Sequence, residues 1–272
     1  MTKRSFNNKI ILKIQLKIGG IALDLYFEIT GNGHPVVLIH SGGSDLRQWT
    51  FLVSLLSKNY KVITFDGRGA GKSPSPIKHA NYVEDVLALM DYLKLNQATI
   101  IGHSMGGQIA TDFALNYSER VSKLVLIAPS LTGFSYSKEF EQYHNKILEN
   151  APDIDRMLEL ALHSPTYQVV INSPHKDLTV QMLRHHFERM LKWPTDFCMK
   201  WPQPPGIERL GELNSKTLFI IGKKDLADNF RVAGCFRKVP NIHFIEIEDA
   251  DHMLPLTHSE ELYQEITAFM ED

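Results

Sequence analysis

The feature that most constrains the fold of this 272-residue chain is a series of short, uninterrupted apolar runs separated by segments of helical periodicity. The runs occupy residues 36–40, 61–66, 98–102 and 123–128, and the pattern returns at 217–221 and 242–247. A strand that is apolar on both sides must be covered on both faces, which is the situation of strands in a parallel sheet packed between helices. Between the runs, Val83, Val86, Leu87, Met90 and Leu93 recur at helical intervals, as do Ile109, Phe113 and Tyr117. Each set defines one helix face. Strand alternating with helix predicts an α/β architecture with a mostly parallel sheet. Ahead of it, residues 10–18 and 21–29 alternate apolar and polar side chains and meet at Gly19-Gly20, which predicts an N-terminal antiparallel hairpin.

From about 130 to 215 the strand signal fades. Helical segments are expected at 139–150, 154–163 and 178–192, followed by Trp193-Pro194 and the run Trp201-Pro202-Gln203-Pro204-Pro205-Gly206. Proline supplies no N–H and resists helix, so these stretches are read as irregular. Leu262, Ile266, Phe269 and Met270 close the chain on an amphipathic helix. The expected organisation is therefore one α/β core, residues 1–129 and 216–272, interrupted by a helical insertion over 130–215.

Charge narrows the functional classes. Lys and Arg number 29 against 31 Asp and Glu, a formal net charge of −2. A chain so balanced offers no concentrated basic surface for nucleic acid or an anionic membrane. No run approaches the 18 or so apolar residues of a membrane span, and Lys13, Gln15 and Lys17 interrupt the N-terminal stretch where a signal core would be unbroken. Cys198 and Cys235 have neither the number nor the spacing of a disulfide framework or a metal site. The expectation is a cytoplasmic protein acting on a small molecule, with no cofactor and no metal. The sequence carries no reading of its oligomeric state.

The chemistry centres on Gly102-His103-Ser104-Met105-Gly106, followed by Gly107, where a buried strand gives way to a helical face. In such a strand–turn–helix elbow the glycines permit a tight turn, and the serine hydroxyl is held out over the sheet edge. A serine hydroxyl needs a base that is itself oriented by a carboxylate. Asp225 follows the run ending at Gly222, and His252 follows the next run, so the order is Ser, Asp, His with gaps of 121 and 27 residues. All three stand at the carboxyl ends of strands, where open α/β sheets bind ligands. Asp228 competes with Asp225, but Asp225 fits the strand-end spacing better.

These residues together resemble the α/β-hydrolase superfamily, over essentially the whole chain, and the resemblance implies that the 130–215 insertion is the helical cap, or lid, that roofs the pocket in that family. The resemblance implies Ser104 as nucleophile, Asp225 as orienting acid and His252 as general base. It also implies an oxyanion hole from the backbone N–H of Met105 and of Gly42, the latter in His40-Ser41-Gly42-Gly43, where Ser41 replaces the usual glycine. Residues 66–73, from Asp66 to Ser73, lack the first glycine of a phosphate-binding loop and match instead the family's structural Asp-x-Arg-Gly-x-Gly-x-Ser turn.

His40 is read as a structural loop histidine. His185-His186 diverge by about 100° on a helix and are read as a solvated face. Glu248, Asp249 and Asp251 are expected to form a water-facing acidic turn, and the Trp193 and Trp201 region either lines a pocket or packs the insertion.

The chain is similar to enol-lactonases and haloperoxidase-like esterases of that superfamily. This implies hydrolysis of a small carboxylic ester, thioester or lactone through an acyl-enzyme. The alternatives are a carbon–carbon bond hydrolase of the same fold and a small-molecule receptor or signalling protein that retains the triad. An aspartate at the elbow would mark an epoxide hydrolase or dehalogenase, and serine argues against both.

Overall fold

A computed structural model describes residues 10–13, 16–18, 21–23, 25–76 and 78–272. Its centre is an eight-stranded sheet. In chain order the strands and helices begin with β1 (Ile10–Lys13), β2 (Leu16–Ile18), β3 (Ile21–Leu23), β4 (Tyr26–Thr30) and β5 (Pro35–Ile39). They continue through α1 (Thr50–Leu56), β6 (Lys61–Phe65), β7 (His79–Ala80), α2 (Tyr82–Tyr92), β8 (Ala98–His103), α3 (Met105–Asn116) and β9 (Val121–Ile127). Three long helices follow, α4 (Lys138–Leu148), α5 (Ile154–Leu162) and α6 (Lys176–Met190), then β10 (Cys198–Met199) and α7 (Gly206–Arg209). The chain ends with β11 (Thr217–Gly222), α8 (Ala227–Phe236), β12 (Ile242–Ile247), α9 (Leu254–Thr257) and α10 (Ser259–Glu271).

The order across the sheet is β1-β4-β6-β5-β8-β9-β11-β12. From β6 to β12 every pairing is parallel, whereas β4 joins β6 and β1 joins β4 antiparallel. The α/β sheet read from the apolar runs is present, with strand ends within two residues of expectation. The hairpin is present as two paired pieces, β1 with β4 and β2 with β3. Gly19-Gly20 lies outside the described residues.

The central strands are apolar because both of their faces are covered. All six residues of β8 and of β11 are buried, each fully buried aliphatic side chain contributing about 1.5–3 kcal/mol. β12 departs from this expectation. It is the edge strand, and only Ile247 of its six residues is buried. The helices α4, α5 and α6 cap the carboxyl end of the sheet and build a small core of their own from Ile147, Met157, Leu158, Leu183 and Phe187. No helix among the described residues is long and apolar enough to cross a membrane.

Candidate active site

The turn between β8 and α3 places Ser104 at φ 54°, ψ −118°. This is a left-handed conformation that costs an ordinary residue about 1–3 kcal/mol and persists only where the surroundings enforce it. Here they do. A Cβ on Gly102 would overlap the carbonyl oxygen of Gly106, and one on Gly106 would overlap that of Ile39. The Ser104 backbone is pinned as well: its N–H donates to Ile127 O at 3.0 Å, and its carbonyl accepts from Gln108 and Ser130. The side chain keeps part of its surface accessible.

As the first residue of α3, Met105 carries an N–H that no intrahelical carbonyl can accept. Gly42 faces it, since a Cβ there would stand 3.8 Å from Met105 Sδ. Ser41, the departure from the family's glycine, donates its hydroxyl to Gln48 Oε1 at 2.7 Å, which anchors the loop to the buried Gln48. His40 bridges two loops. Its Nε2 accepts from the Gly67 N–H at 2.9 Å and its Nδ1 donates to Ser41 O at 2.8 Å, so both ring nitrogens are spent on backbone groups in a structural position.

Asp225 and His252 are brought together. His252 Nδ1 lies 3.0 Å from Asp225 Oδ2 and 3.2 Å from Oδ1. An ionised carboxylate only accepts, so Nδ1 carries the proton and Nε2 is left with its lone pair. Burial lowers the basicity of His252, but the charge and hydrogen bond of Asp225, with Asp251 nearby, outweigh it and hold the ring above its ordinary pKa of 6.5. His103, the residue before Ser104, donates Nε2–H to the His252 carbonyl at 2.8 Å, and the two rings lie 4.8 Å apart. The histidine loop is thereby tied to the elbow. Among the described residues the Ser104 hydroxyl has no hydrogen-bond partner, an arrangement that substrate-free sites often show before they tighten.

Two partners of this pair were not legible beforehand. Asn229 Nδ2 donates to Asp225 Oδ1 at 2.6 Å and sits 3.0 Å from His252 Nδ1. The reverse amide orientation would set two acceptors against each other. The Leu226 N–H adds a second bond to the same oxygen at 2.7 Å. The signal was the four-residue spacing from Asp225 to Asn229 across the start of α8. Asp251 is the other. Expected to face water, it is fully buried and accepts from Val169 N at 2.6 Å and Met253 N at 2.9 Å. Burial raises its pKa despite these bonds. Glu248 and Asp249 do face solvent, paired with Lys223 and Lys224.

Asp228 is turned away from His252. It holds Ser137, the N-cap of α4, by its hydroxyl at 2.6 Å and pairs with Arg231, so it fastens the cap. The His185-His186 segment is not a solvated face. His185 contacts Gly71 O at 3.0 Å, and His186 lines the interior, where burial lowers its pKa to about 4. Asp66, in the glycine-rich turn, spends its carboxylate on the N–H groups of Leu46 and Lys72, both at 2.8 Å.

Beneath the cap is a cavity of about 640 Å³, within the range that holds a small organic ligand. Its walls are mainly apolar, from Phe140, Ile147, Leu183, Phe187 and Trp193, and it reaches the elbow at Gly42 and Met105. Trp193 thus lines the cavity, whereas Trp201 packs against the main core.

The model of the alpha/beta hydrolase fold family matches residues 34–259, and the chain belongs to that family. It is 25% identical over 226 residues to a 2-hydroxy-6-oxo-6-phenylhexa-2,4-dienoate hydrolase of Comamonas testosteroni, 74% of each chain. Among the first curated relatives, the chain spans between 35% and 79% of their length. Solved structures with the same fold include a meta-cleavage product hydrolase from Pseudomonas fluorescens IP01, with TM-score 0.71 and 23% identity, covering 93% of this chain and 95% of that one. The enol-lactonase of Burkholderia xenovorans LB400 has TM-score 0.72 and 21% identity, with 92% and 97% covered.

Proposed function

We propose that the chain is a serine hydrolase that works through an acyl-enzyme, with Ser104 as nucleophile, His252 as general base, Asp225 as its orienting acid, and the N–H groups of Gly42 and Met105 as oxyanion donors. The observation that carries this is the buried Asp225–His252 pair at 3.0 Å, tied through His103 to the strained Ser104 elbow. Ser104 Oγ attacks a carbonyl carbon while His252 Nε2 takes its proton. On this reading the developing oxyanion accepts from the Gly42 and Met105 N–H groups, and donors held in place by the fold avoid reorganisation during the step. His252 then returns the proton to the leaving group, and water releases the acid by the same path in reverse.

The bond cut is, on this reading, a carbon–carbon bond beside a carbonyl. The relative that matches three quarters of the chain is named for a hydroxy-oxo-dienoate. Such a compound contains no ester or amide, so its hydrolysis breaks a carbon–carbon bond. Carboxylic esters and lactones are the second reading, favoured by the cavity's charge. The described residues lining the cap cavity include no Lys or Arg to pair with a dienoate carboxylate. Arg68, beside the neighbouring loop, is already committed to Asp85 at 2.8 Å.

One panel tests both readings: a dienoate, an uncharged diketone, p-nitrophenyl esters and a lactone, each with the wild type and Ser104→Ala. Turnover lost in Ser104→Ala supports the serine mechanism, and the substrate turned over selects the bond. Undiminished turnover in that variant, or none with any carbonyl compound beside ligand-dependent capture of a partner, overturns it.

A further inference from the structure

Two polar side chains in the cap cavity have no task in the mechanism above. Tyr167, between α5 and α6, and His186, on α6, both line the cavity. The Tyr167 hydroxyl stands 3.9 Å from where a Cβ on Gly43 would be, so it lies beside the oxyanion loop. His186 lines both the cap cavity and the narrow cleft that runs below it past His40 and Gly67. Its ring meets Trp193 edge-to-face at 6.0 Å and Phe187 at 5.8 Å, which sets its plane without using its nitrogens. Among the described residues neither the hydroxyl nor the imidazole has a hydrogen-bond partner. Both residues are half-buried and line the cavity, so a bound molecule can reach these polar atoms. Both are also uncharged at neutral pH: burial raises Tyr167 to about 12 and lowers His186 to about 4.

We propose that Tyr167 and His186 form a polar subsite for the second carbonyl oxygen of an uncharged dicarbonyl substrate, and that they stabilise the enolate released when the carbon–carbon bond breaks. This rests on the proposed serine mechanism. Ser104 Oγ bonds to the first carbonyl carbon, and its proton passes to His252. When the tetrahedral intermediate collapses, the bond to the central carbon breaks and its electron pair moves onto the second carbonyl oxygen. That oxygen accepts from the Tyr167 O–H and the His186 N–H. The central carbon takes the proton from His252, and water hydrolyses the acyl-enzyme. The sum is R–CO–CH₂–CO–R′ plus water giving R–COOH and CH₃–CO–R′. The apolar walls suit hydrocarbon R groups. An ester lacks the second oxygen and gains nothing from the subsite.

The test compares 1-phenylbutane-1,3-dione with phenyl butanoate on the wild type, Tyr167→Phe and His186→Leu. A hydrogen bond to a charged oxygen is worth a factor of about 10–100. The expected result is a loss of kcat/KM on the dione that exceeds the loss on the ester by about tenfold or more in each variant. Equal losses on both substrates overturn the subsite. Tyr167→Phe removes one oxygen atom and carries the test if His186→Leu fails to fold. Dissociation constants for the dione, measured by calorimetry in a Ser104→Ala background, separate the two claims. Weakening of several-fold on adding Tyr167→Phe supports the subsite even where the wild type cleaves nothing, in which case only the serine reading fails. Unchanged binding overturns the subsite whatever the turnover.

Discussion

Replacing Asp251 by alanine isolates the contact that joins the cap to the His252 loop. The carboxylate accepts from the N–H of Val169 at 2.6 Å, in the cap, and of Met253 at 2.9 Å, one residue beyond His252. The Val170 N–H faces it as well. Alanine leaves these donors in a site from which solvent is excluded, at about 1–3 kcal/mol each. Removing a buried carboxylate also returns its desolvation penalty, whose sign is visible in its raised pKa. The net expectation is a loss of about 3–4 kcal/mol, a large share of the roughly 5–15 kcal/mol that stabilises a domain. Activity should fall on the order of 10²-fold, because the turn that sets His252 loses its tie and small misplacements are costly. Urea unfolding followed by circular dichroism measures the first effect, and limited proteolysis should show earlier cleavage near 169–172. A stability change below about 1 kcal/mol, with unaltered cleavage and activity, would refute the reasoning.

Ser104→Ala should lower kcat on the order of 10⁶-fold, and a fluorophosphonate should add once to the wild type, at Ser104, as read by intact-protein mass spectrometry. Asp225→Asn should cost on the order of 10⁴-fold in kcat, while Asp228→Asn, at the edge of the cavity with its carboxylate bound to Ser137 and Arg231, should retain most activity; the reverse ranking would exchange their roles. Since His252 must be neutral to act as base and its pKa is raised, activity should fall on the acid side with a midpoint above 6.5; a midpoint below that value counts against the Asp225 pairing. Asp112, buried on α3 with its carboxyl raised to about 6, binds its proton more tightly folded than unfolded. Its contribution is therefore greatest below about pH 3.8 and is lost as pH rises through 6, so Asp112→Asn should gain about 1–2 kcal/mol over the wild type at pH 8 and little at pH 4, measured as thermal unfolding.

Local pattern alone determined the alternation of strand and helix, the helical insertion, and the positions of Ser104, Asp225 and His252 at strand ends. Strand periodicity is a local property, and at a carboxyl edge it also dictates where a side chain emerges. Three features depended on contacts between residues far apart in the chain, which periodicity does not encode. Asp251 reads as one member of an acidic turn, and it is buried only because a cap segment 82 residues earlier brings it an N–H. His186 reads as half of a polar pair on a helix, and becomes an interior group because α6 lies across the carboxyl edge. Asp225 and Asp228 are likewise distinguished only by their contacts in three dimensions. The start of α8 points one carboxylate at His252 and turns the other, three residues later, toward Ser137 at the start of the cap.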